Sequence, residues 1–152
     1  MEFSPLTALS PIDGRYREKT KILTSFFSEY ALMKYRVRVE VEYLIALADL
    51  PLPGMGKLSG KEQTGLRRLY LDFAPNDARS IKKTEETTNH DVKAVEYFIR
   101  GKLSGMGLER LSGFVHFGLT SQDVNNTAVP LSLKEAMQEV YQLIQKISDS
   151  SA

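Results

Sequence analysis

The stretch SFFSEYALMKYRVRVEVEYLIALADL, residues 25–50, decides between helix and strand for this chain. Its middle, YRVRVEVEY, alternates polar and apolar residues as a half-buried strand does. Against a strand, Arg36 and Glu40 are opposite charges four residues apart, a spacing that pairs only on a helix. Arg38 and Glu42 repeat that spacing, and apolar residues recur every three or four positions. The segment therefore predicts one long helix with apolar residues on two faces.

Helical signals continue after the loop PLPGMGKLSG at residues 51–60. Ser59 followed by Glu62 is a capping-box signature, which predicts a helix to about Phe73. Pro75 opens another helix that runs towards Thr87. The segment after it again places apolar residues on one helical face, namely Val92, Val95, Ile99 and Leu103.

The last part of the chain is predicted to be helical as well. GMGLERLSG, residues 105–113, breaks the pattern and indicates a boundary between residues 1–112 and residues 113–152. A final helix begins near Thr120, and we expect it to be interrupted or bent at Pro130. There is no convincing strand and no internal repeat. The sequence therefore predicts an all-α fold with an irregular N-terminal arm.

Composition argues against several classes of function. A net charge of +1 lacks the concentrated basic charge of a nucleic-acid or membrane surface. No cysteine is present, and the two histidines lie 26 residues apart without a metal-binding spacing, so we expect no metal. GxGxxG and P-loop patterns are absent. The start lacks a secretory signal, and the longest apolar run, YLIALA at 43–48, is too short to span a bilayer, so we expect a cytoplasmic protein.

Residues 13–16, DGRY, have two interpretations. Asp-Gly favours a turn, with Arg15 and Tyr16 as ordinary surface residues. Alternatively, Arg15 and Tyr16 present a guanidinium fork and a phenol hydroxyl to an anion. The local pattern by itself favours the turn.

Asn89, His90 and Asp91 lie where a polar tract changes to helical periodicity. In one interpretation Thr88 or Asn89 caps the helix, Asp91 complements its dipole, and His90 is an exposed bystander. In the other, free N–H groups at the helix N-terminus bind an anion. His90 would then stay neutral and exchange hydrogen bonds with a substrate. These residues alone leave both interpretations open.

HFGLTSQD, residues 116–123, has the same two interpretations. Thr120 is a good N-cap, and Asp123 completes a box-like pattern. Alternatively, Thr120, Ser121 and the backbone after Gly118 hold a phosphate or carboxylate. His116 is flanked by apolar residues, which favours a packed, hydrogen-bonded side chain over a catalyst.

Taken in order, SPIDGRY, TTNHDVKAVEYF and HFGLTSQDVNN resemble the adenylosuccinate lyases, a family of the fumarase/aspartase superfamily. The resemblance covers most of residues 4–127, and NHDVKAVEY is its most specific part. It implies that residues 1–112 are the N-terminal helical domain of that superfamily. Residues 113–152 would be the truncated start of its central helical bundle.

The resemblance also implies an activity. Such enzymes eliminate fumarate from adenylosuccinate, giving AMP, and from succinyl-aminoimidazole-carboxamide ribotide in purine biosynthesis. They need no metal or organic cofactor, and they are homotetramers whose sites combine residues of three subunits. Seven residues would bind the nucleotide substrate through its phosphate and carboxylates: Arg15, Tyr16, Asn89, His90, Asp91, Thr120 and Ser121.

No catalytic residue is expected in this chain. In the family a histidine of a THGQ-type motif is the general acid, and a serine of an SSxMPxKxN loop is the general base. Neither string is present, so both groups are expected beyond residue 152. The chain alone should then be inactive, and monomeric or weakly associated. Two alternatives remain: a helical anion-binding or nucleotide-binding regulatory module without catalysis, and another fumarate-releasing lyase of the superfamily.

Overall fold

A computed structural model describes residues 4–150, and these residues contain helices and no strand. The α-helices are α1 (Arg17–Thr20), α2 (Thr24–Phe27), α3 (Glu29–Leu47), α4 (Gly60–Leu71), α5 (Pro75–Thr88), α6 (Asp91–Gly105) and α7 (Ser121–Ser150). Two 3₁₀ segments lie between them: Lys21–Leu23 between α1 and α2, and Glu109–Phe114 between α6 and α7. The all-α prediction is confirmed.

Helix α3 is the central element, and it packs against α2, α4, α5, α6 and α7. The long helix predicted for residues 25–50 is mostly correct, but it breaks at Ser28, whose backbone is extended. The Ser28 hydroxyl accepts a hydrogen bond from the Ala31 N–H at 3.1 Å and so caps α3. Val37 and Val41 are fully buried, and Tyr35 on another face is also buried. Burial on several faces explains why the sequence pattern resembled a strand.

The charged residues of α3 do not form the pairs that their spacing suggested. Arg36 binds Asp91 at the start of α6, with 2.7 Å between the guanidinium and the carboxylate. Glu40 instead contacts His116, in the loop before α7. The predicted pairing of Arg36 with Glu40 is therefore wrong, because each side chain is buried against a different part of the chain.

The second predicted pair of α3 is also replaced by contacts with other helices. Arg38 lies 2.7 Å from Glu135 of α7. Glu42 accepts two hydrogen bonds from Arg67 of α4, at 2.9 and 3.0 Å, and a third from Tyr70. The helix prediction was correct, but these charges hold α3 to its neighbours rather than stabilise it locally.

Helices α4 and α5 have the starts, and α6 has the buried face, that the sequence predicted. The Ser59–Glu62 capping box is present, and α5 begins at Pro75. The four apolar residues predicted for one face of α6, Val92, Val95, Ile99 and Leu103, are all fully buried. Val95, Ile99 and Leu103 pack with residues of α3 in the main hydrophobic core.

Helix α7 lies against α2 and α3, where the buried Ser132 hydroxyl donates to the Phe26 carbonyl at 2.6 Å. It runs through Pro130, so an interruption there is wrong, and a bend at Pro130 stays a prediction. Pro130 and Asn126, whose carbonyl has no helical N–H partner because residue 130 is proline, are both exposed. None of the helices described for residues 4–150 is long and apolar enough to cross a membrane. The predicted boundary after residue 112 stays a prediction.

Candidate functional site

The NHD stretch forms the junction between α5 and α6. Asn89 adopts a left-handed backbone conformation, with φ 49°, and closes the C-terminus of α5. His90 is the N-cap of α6, and its Nδ1 accepts a hydrogen bond from the Lys93 N–H at 3.1 Å. The predicted cap at Thr88 or Asn89 is therefore wrong, because Asn89 completes the preceding helix. His90 is not a bystander, since it holds one end of α6.

Asp91 occupies the first turn of α6, as predicted, and is held on both sides. Its Oδ1 accepts from the Val92 N–H at 2.8 Å, and its Oδ2 lies 2.7 Å from Arg36. Burial opposes the ionisation of Asp91, but the Val92 N–H and the Arg36 charge outweigh it. The pKa of Asp91 is therefore lowered from its ordinary value.

These contacts change the expected chemistry of the α6 N-terminus. The Val92 and Lys93 N–H groups are already bound to the side chains of Asp91 and His90. The prediction that free N–H groups of the first turn face a ligand is therefore wrong for these two. An anion at this junction would be bound mainly by the side chains around it.

The third motif, HFGLTSQD, forms a loop that ends in the first turn of α7. Gly118 has φ 74°, a conformation that glycine adopts readily, and the Tyr43 hydroxyl donates to the Phe117 carbonyl at 2.9 Å. Thr120 and Asp123 cap the helix, because Asp123 Oδ2 accepts from both the N–H and the hydroxyl of Thr120 at 2.7 Å. The predicted cap is confirmed, and Ser121 is the first residue of α7.

Arg36 connects the second and third motifs. Its terminal nitrogen binds Asp91 at 2.7 Å, and its Nε donates to Asn125 Oδ1 of α7 at 2.9 Å. The Arg36 side chain is only 7% exposed, whereas that of Asp91 is 45% exposed, so the guanidinium is buried and the carboxylate is open to water on one side. The starts of α6 and α7 are thus held to one position on α3.

A buried charged cluster lies beside this connection. His116 Nδ1 lies 2.5 Å from Glu40 Oε1, and its Nε2 lies 4.0 Å from Glu96 Oε1. Lys93 and Arg100 also contact Glu96, at 2.8 and 3.3 Å. The prediction that His116 is packed and hydrogen-bonded is confirmed.

The protonation of Glu40 is set mainly by its burial. The side chain is 1% exposed, and one carboxylate oxygen, Oε2, has no hydrogen-bond partner. Burial raises the pKa of Glu40 from its ordinary value, and the hydrogen bond and charge of His116 offset only part of that increase.

The DGRY stretch forms the predicted turn. Gly14 is buried where an added Cβ would lie 2.7 Å from the Pro5 carbonyl oxygen, so this turn requires glycine. The Arg15 guanidinium lies 5.4 Å from the centre of the Tyr16 ring. Among residues 4–150, no hydrogen bond or ion pair joins Arg15 or Tyr16 to the NHD junction or to the start of α7.

Sequence reasoning thus found two motifs that the structure joins, NHD and HFGLTSQD. The remaining motif, DGRY, has no hydrogen bond or ion pair to either of them among the described residues. Sequence reasoning missed Arg36, Glu40 and Glu96, the three buried charges that connect the two joined motifs. A signal was present in α3. A helix with apolar residues on two faces must bury some of the charges between them, and buried charges need partners elsewhere.

The chemistry of the joined region suits a polar, anionic ligand. Hydroxyls, an amide and an imidazole come from Thr120, Ser121, Asn89 and His90, at the N-terminal ends of two helices. No group of three or more metal-binding side chains occurs within residues 4–150.

Comparison with known proteins finds relatives that match nearly the whole chain. A sequence profile described as Lyase matches residues 14–151. The adenylosuccinate lyase of Dictyostelium discoideum is 50% identical over 146 residues, covering 92% of this chain and 31% of that protein. The adenylosuccinate lyase of Vibrio cholerae is 46% identical over 142 residues, with 92% and 31% covered. That of Escherichia coli K12 is 44% identical over 156 residues, with 98% and 34% covered.

The chain spans about a third of the length of these curated relatives. Its helices, without strands in the described residues, are the fold expected for the fumarase/aspartase superfamily. The resemblance stated from the sequence is confirmed. Because the profile covers nearly the whole chain, this chain belongs to the lyase family.

Proposed function

We propose that this chain is the N-terminal part of an adenylosuccinate lyase and contributes substrate-binding groups to its active site. The observation that carries the proposal is the match of nearly the whole chain to enzymes of that name, at 50% identity for the Dictyostelium protein. The reaction would release fumarate from adenylosuccinate and from succinyl-aminoimidazole-carboxamide ribotide. The enzyme would act in the cytoplasm, without a metal or organic cofactor.

The residues of the NHD junction would form one wall of the substrate site. The Nδ1 of His90 is bound to the backbone, which leaves Nε2 as the nitrogen available to a ligand. Asp91 is bound to Arg36 and is better suited to hold the junction in place than to donate to an anion. Asn89, directly before His90, would contribute its side-chain amide.

Thr120 and Ser121 would bind substrate from the start of α7. The Thr120 hydroxyl already donates to Asp123, so an anionic group would have to replace Asp123 as acceptor, whereas a ligand hydroxyl could donate to the Thr120 oxygen. Arg15 and Tyr16 of the arm would bind the phosphate, which a guanidinium recognises through two parallel hydrogen bonds. In a site completed by other subunits, the arm need not contact the two other motifs of its own chain.

Proton transfer would come from outside this chain. An elimination needs a base to remove the proton next to a carboxylate and an acid to protonate the leaving nitrogen. His116 is poorly placed for either role, because Glu40 and Glu96 surround its two ring nitrogens. A histidine and a serine beyond residue 152 would serve as acid and base.

We further propose a homotetramer for the whole protein, with the chain alone monomeric or weakly associated. Apolar side chains at helical spacing are exposed along α7, namely Val129, Leu133, Met137, Tyr141, Ile144 and Ile147. A helix with such a stripe is suited to a larger bundle. Sedimentation of the chain at two concentrations tests this proposal, and a stable tetramer of the chain alone would contradict it.

The function is tested with a hybrid enzyme, in which residues 1–152 replace the matching third of the Escherichia coli relative. We expect the hybrid to release fumarate from adenylosuccinate. Release from argininosuccinate alone would favour another lyase of the superfamily. A folded hybrid that binds AMP but releases no fumarate would favour the binding or regulatory module.

A further inference from the structure

Arg36 is the one buried arginine among the described residues, and none of the binding roles above explains it. A buried guanidinium is costly unless several partners satisfy it. Here the partners come from two distant parts of the chain, Asp91 at the start of α6 and Asn125 in the second turn of α7. The buried guanidinium therefore connects the two motifs.

We propose that Arg36 is a positioning residue that fixes the NHD junction relative to the start of α7. This inference rests on the proposed function, because it concerns residues that would bind one substrate from both places. The distances carry it: 2.7 Å to Asp91 Oδ2 through a terminal nitrogen, and 2.9 Å to Asn125 Oδ1 through Nε.

The geometry requires arginine in particular. A guanidinium is planar and presents donors along two edges, so one side chain holds two acceptors at a fixed separation. Lysine would keep the charge but is a single point of attachment, and it would retain Asp91 while losing Asn125. No hydrogen bond or ion pair of residues 4–150 joins Asp91 to Asn125 directly, so Arg36 is the side chain that links them.

The coupling is measurable in the chain itself by amide NMR spectra. Asp91→Asn should shift the amide signals of Thr120 and Ser121 when Arg36 is present, although Asp91 does not contact them. In the Arg36→Lys and Arg36→Met backgrounds the same change should leave those signals in place. Equal shifts in all three backgrounds would overturn the proposal. Arg36→Lys keeps the charge and so keeps the test valid if Arg36→Met does not fold.

Arg38 offers a matched control on the same helix. It is also partly buried and binds one carboxylate, Glu135, at 2.7 Å, but no hydrogen bond or ion pair of the described residues joins it to either motif. Arg38→Met should lower the melting temperature as Arg36→Met does. It should leave the response of Thr120 and Ser121 to Asp91→Asn intact. Loss of that response in the Arg38 variant would show a general effect of destabilisation and overturn the proposal.

The hybrid enzyme separates this proposal from the proposed function. If the hybrid releases fumarate, Arg36→Lys should raise the KM for adenylosuccinate by about tenfold or more, since small misplacements of binding groups have large effects. Arg38→Lys should leave KM unchanged. An active hybrid with equal KM for both variants would overturn the role of Arg36 and leave the proposed function standing. An inactive hybrid would contradict the proposed function, and the NMR coupling would still decide the role of Arg36.

Discussion

His116 Nδ1 lies 2.5 Å from Glu40 Oε1, across 76 residues of sequence. The contact joins the loop before α7 to the middle of α3; the Glu40 side chain is buried and that of His116 is largely buried. It makes the two histidines of the chain different in kind. His90 caps a helix at the surface, with its side chain 49% exposed, whereas His116 satisfies a buried carboxylate.

Replacing His116 should therefore lower the free energy of unfolding, by an amount that depends on whether the new side chain can still bind Glu40 as Nδ1 does. His116→Leu leaves Glu40 buried without its partner and should lower the free energy of unfolding by about 3 kcal/mol. His116→Asn should cost clearly less, because the asparagine Nδ2 donates from the position of Nδ1 and asparagine tolerates the φ of 64°. Urea unfolding of both variants measures this, and equal losses would contradict the role of the Glu40 contact.

His90→Ala removes the cap of α6 and should cost about 1 kcal/mol, as typical N-cap losses do. His90→Asn should restore most of that loss, since asparagine is a good N-cap. The same urea series applies. A loss for His90→Ala as large as that for His116→Leu would mean that the cap is not its main structural role.

Glu135 should give the chain a pH-dependent part of its stability. Burial opposes its ionisation, but hydrogen bonds from Tyr35 and Arg38, both at 2.7 Å, outweigh that effect and lower the pKa of Glu135. A carboxyl group with a lowered pKa stabilises the fold at pH values above its ordinary pKa, here 4.5. That contribution is lost as the pH falls through the lower pKa of the folded state.

Glu135→Gln should accordingly lower stability by about 1 kcal/mol at neutral pH, because the group is partly exposed. The difference from the parent chain should shrink in acid below the ordinary pKa. Thermal melting across pH measures it, with Glu139→Gln as control, since Glu139 forms no ion pair in the described part of α7. A difference that is constant with pH would contradict this account.

Two glycines should respond to alanine in opposite directions. At Gly14 an added Cβ would lie 2.7 Å from the Pro5 carbonyl oxygen and 2.9 Å from Ala8 Cβ, so the arm must shift. At Gly101, inside α6, an added Cβ would meet no atom within 4 Å apart from its chain neighbours and the backbone of its own helix, and alanine should raise stability by about 0.5–1 kcal/mol. Amide spectra should show changes around Arg15 for Gly14→Ala only. An unchanged arm would contradict the packing at Gly14.

Arg15 should act on substrate binding rather than on stability. In the hybrid enzyme Arg15→Ala should mainly raise the KM for adenylosuccinate, by about tenfold or more, since a charge-assisted bond is worth about 1.5–3 kcal/mol. Arg15→Ala should leave the melting temperature unchanged, because Arg15 is exposed. Arg17→Ala, two residues further on, is the control, because Arg17 is paired with Asp13. Unchanged kinetics for Arg15→Ala would remove it from the site.

Much of the fold was predictable because its signals are local. The Ser59–Glu62 box, Pro75 and the apolar face of α6 each depend on residues within a few positions of one another. The NHD cap was misplaced by one or two residues. That error came from the left-handed conformation of Asn89, which the sequence does not specify by itself.

The connections of the candidate site were not predictable in the same way. Arg36 and Glu40 have the spacing of a helix-surface pair, and nothing near them in sequence indicates Asp91 or His116 as partners. Those partners are set by how α3, α6 and α7 pack, which depends on the whole core. Motif order identified the family, whereas only packing identified the residue that joins two of its motifs.

The central claim is that this chain supplies the substrate-binding part of an adenylosuccinate lyase. The most direct test is the rate of fumarate release from adenylosuccinate by the hybrid enzyme that carries residues 1–152. We expect a kcat/KM within about a hundredfold of the Escherichia coli parent, since a small misplacement of groups costs about that factor. A folded hybrid tetramer that releases no fumarate from adenylosuccinate would contradict the claim.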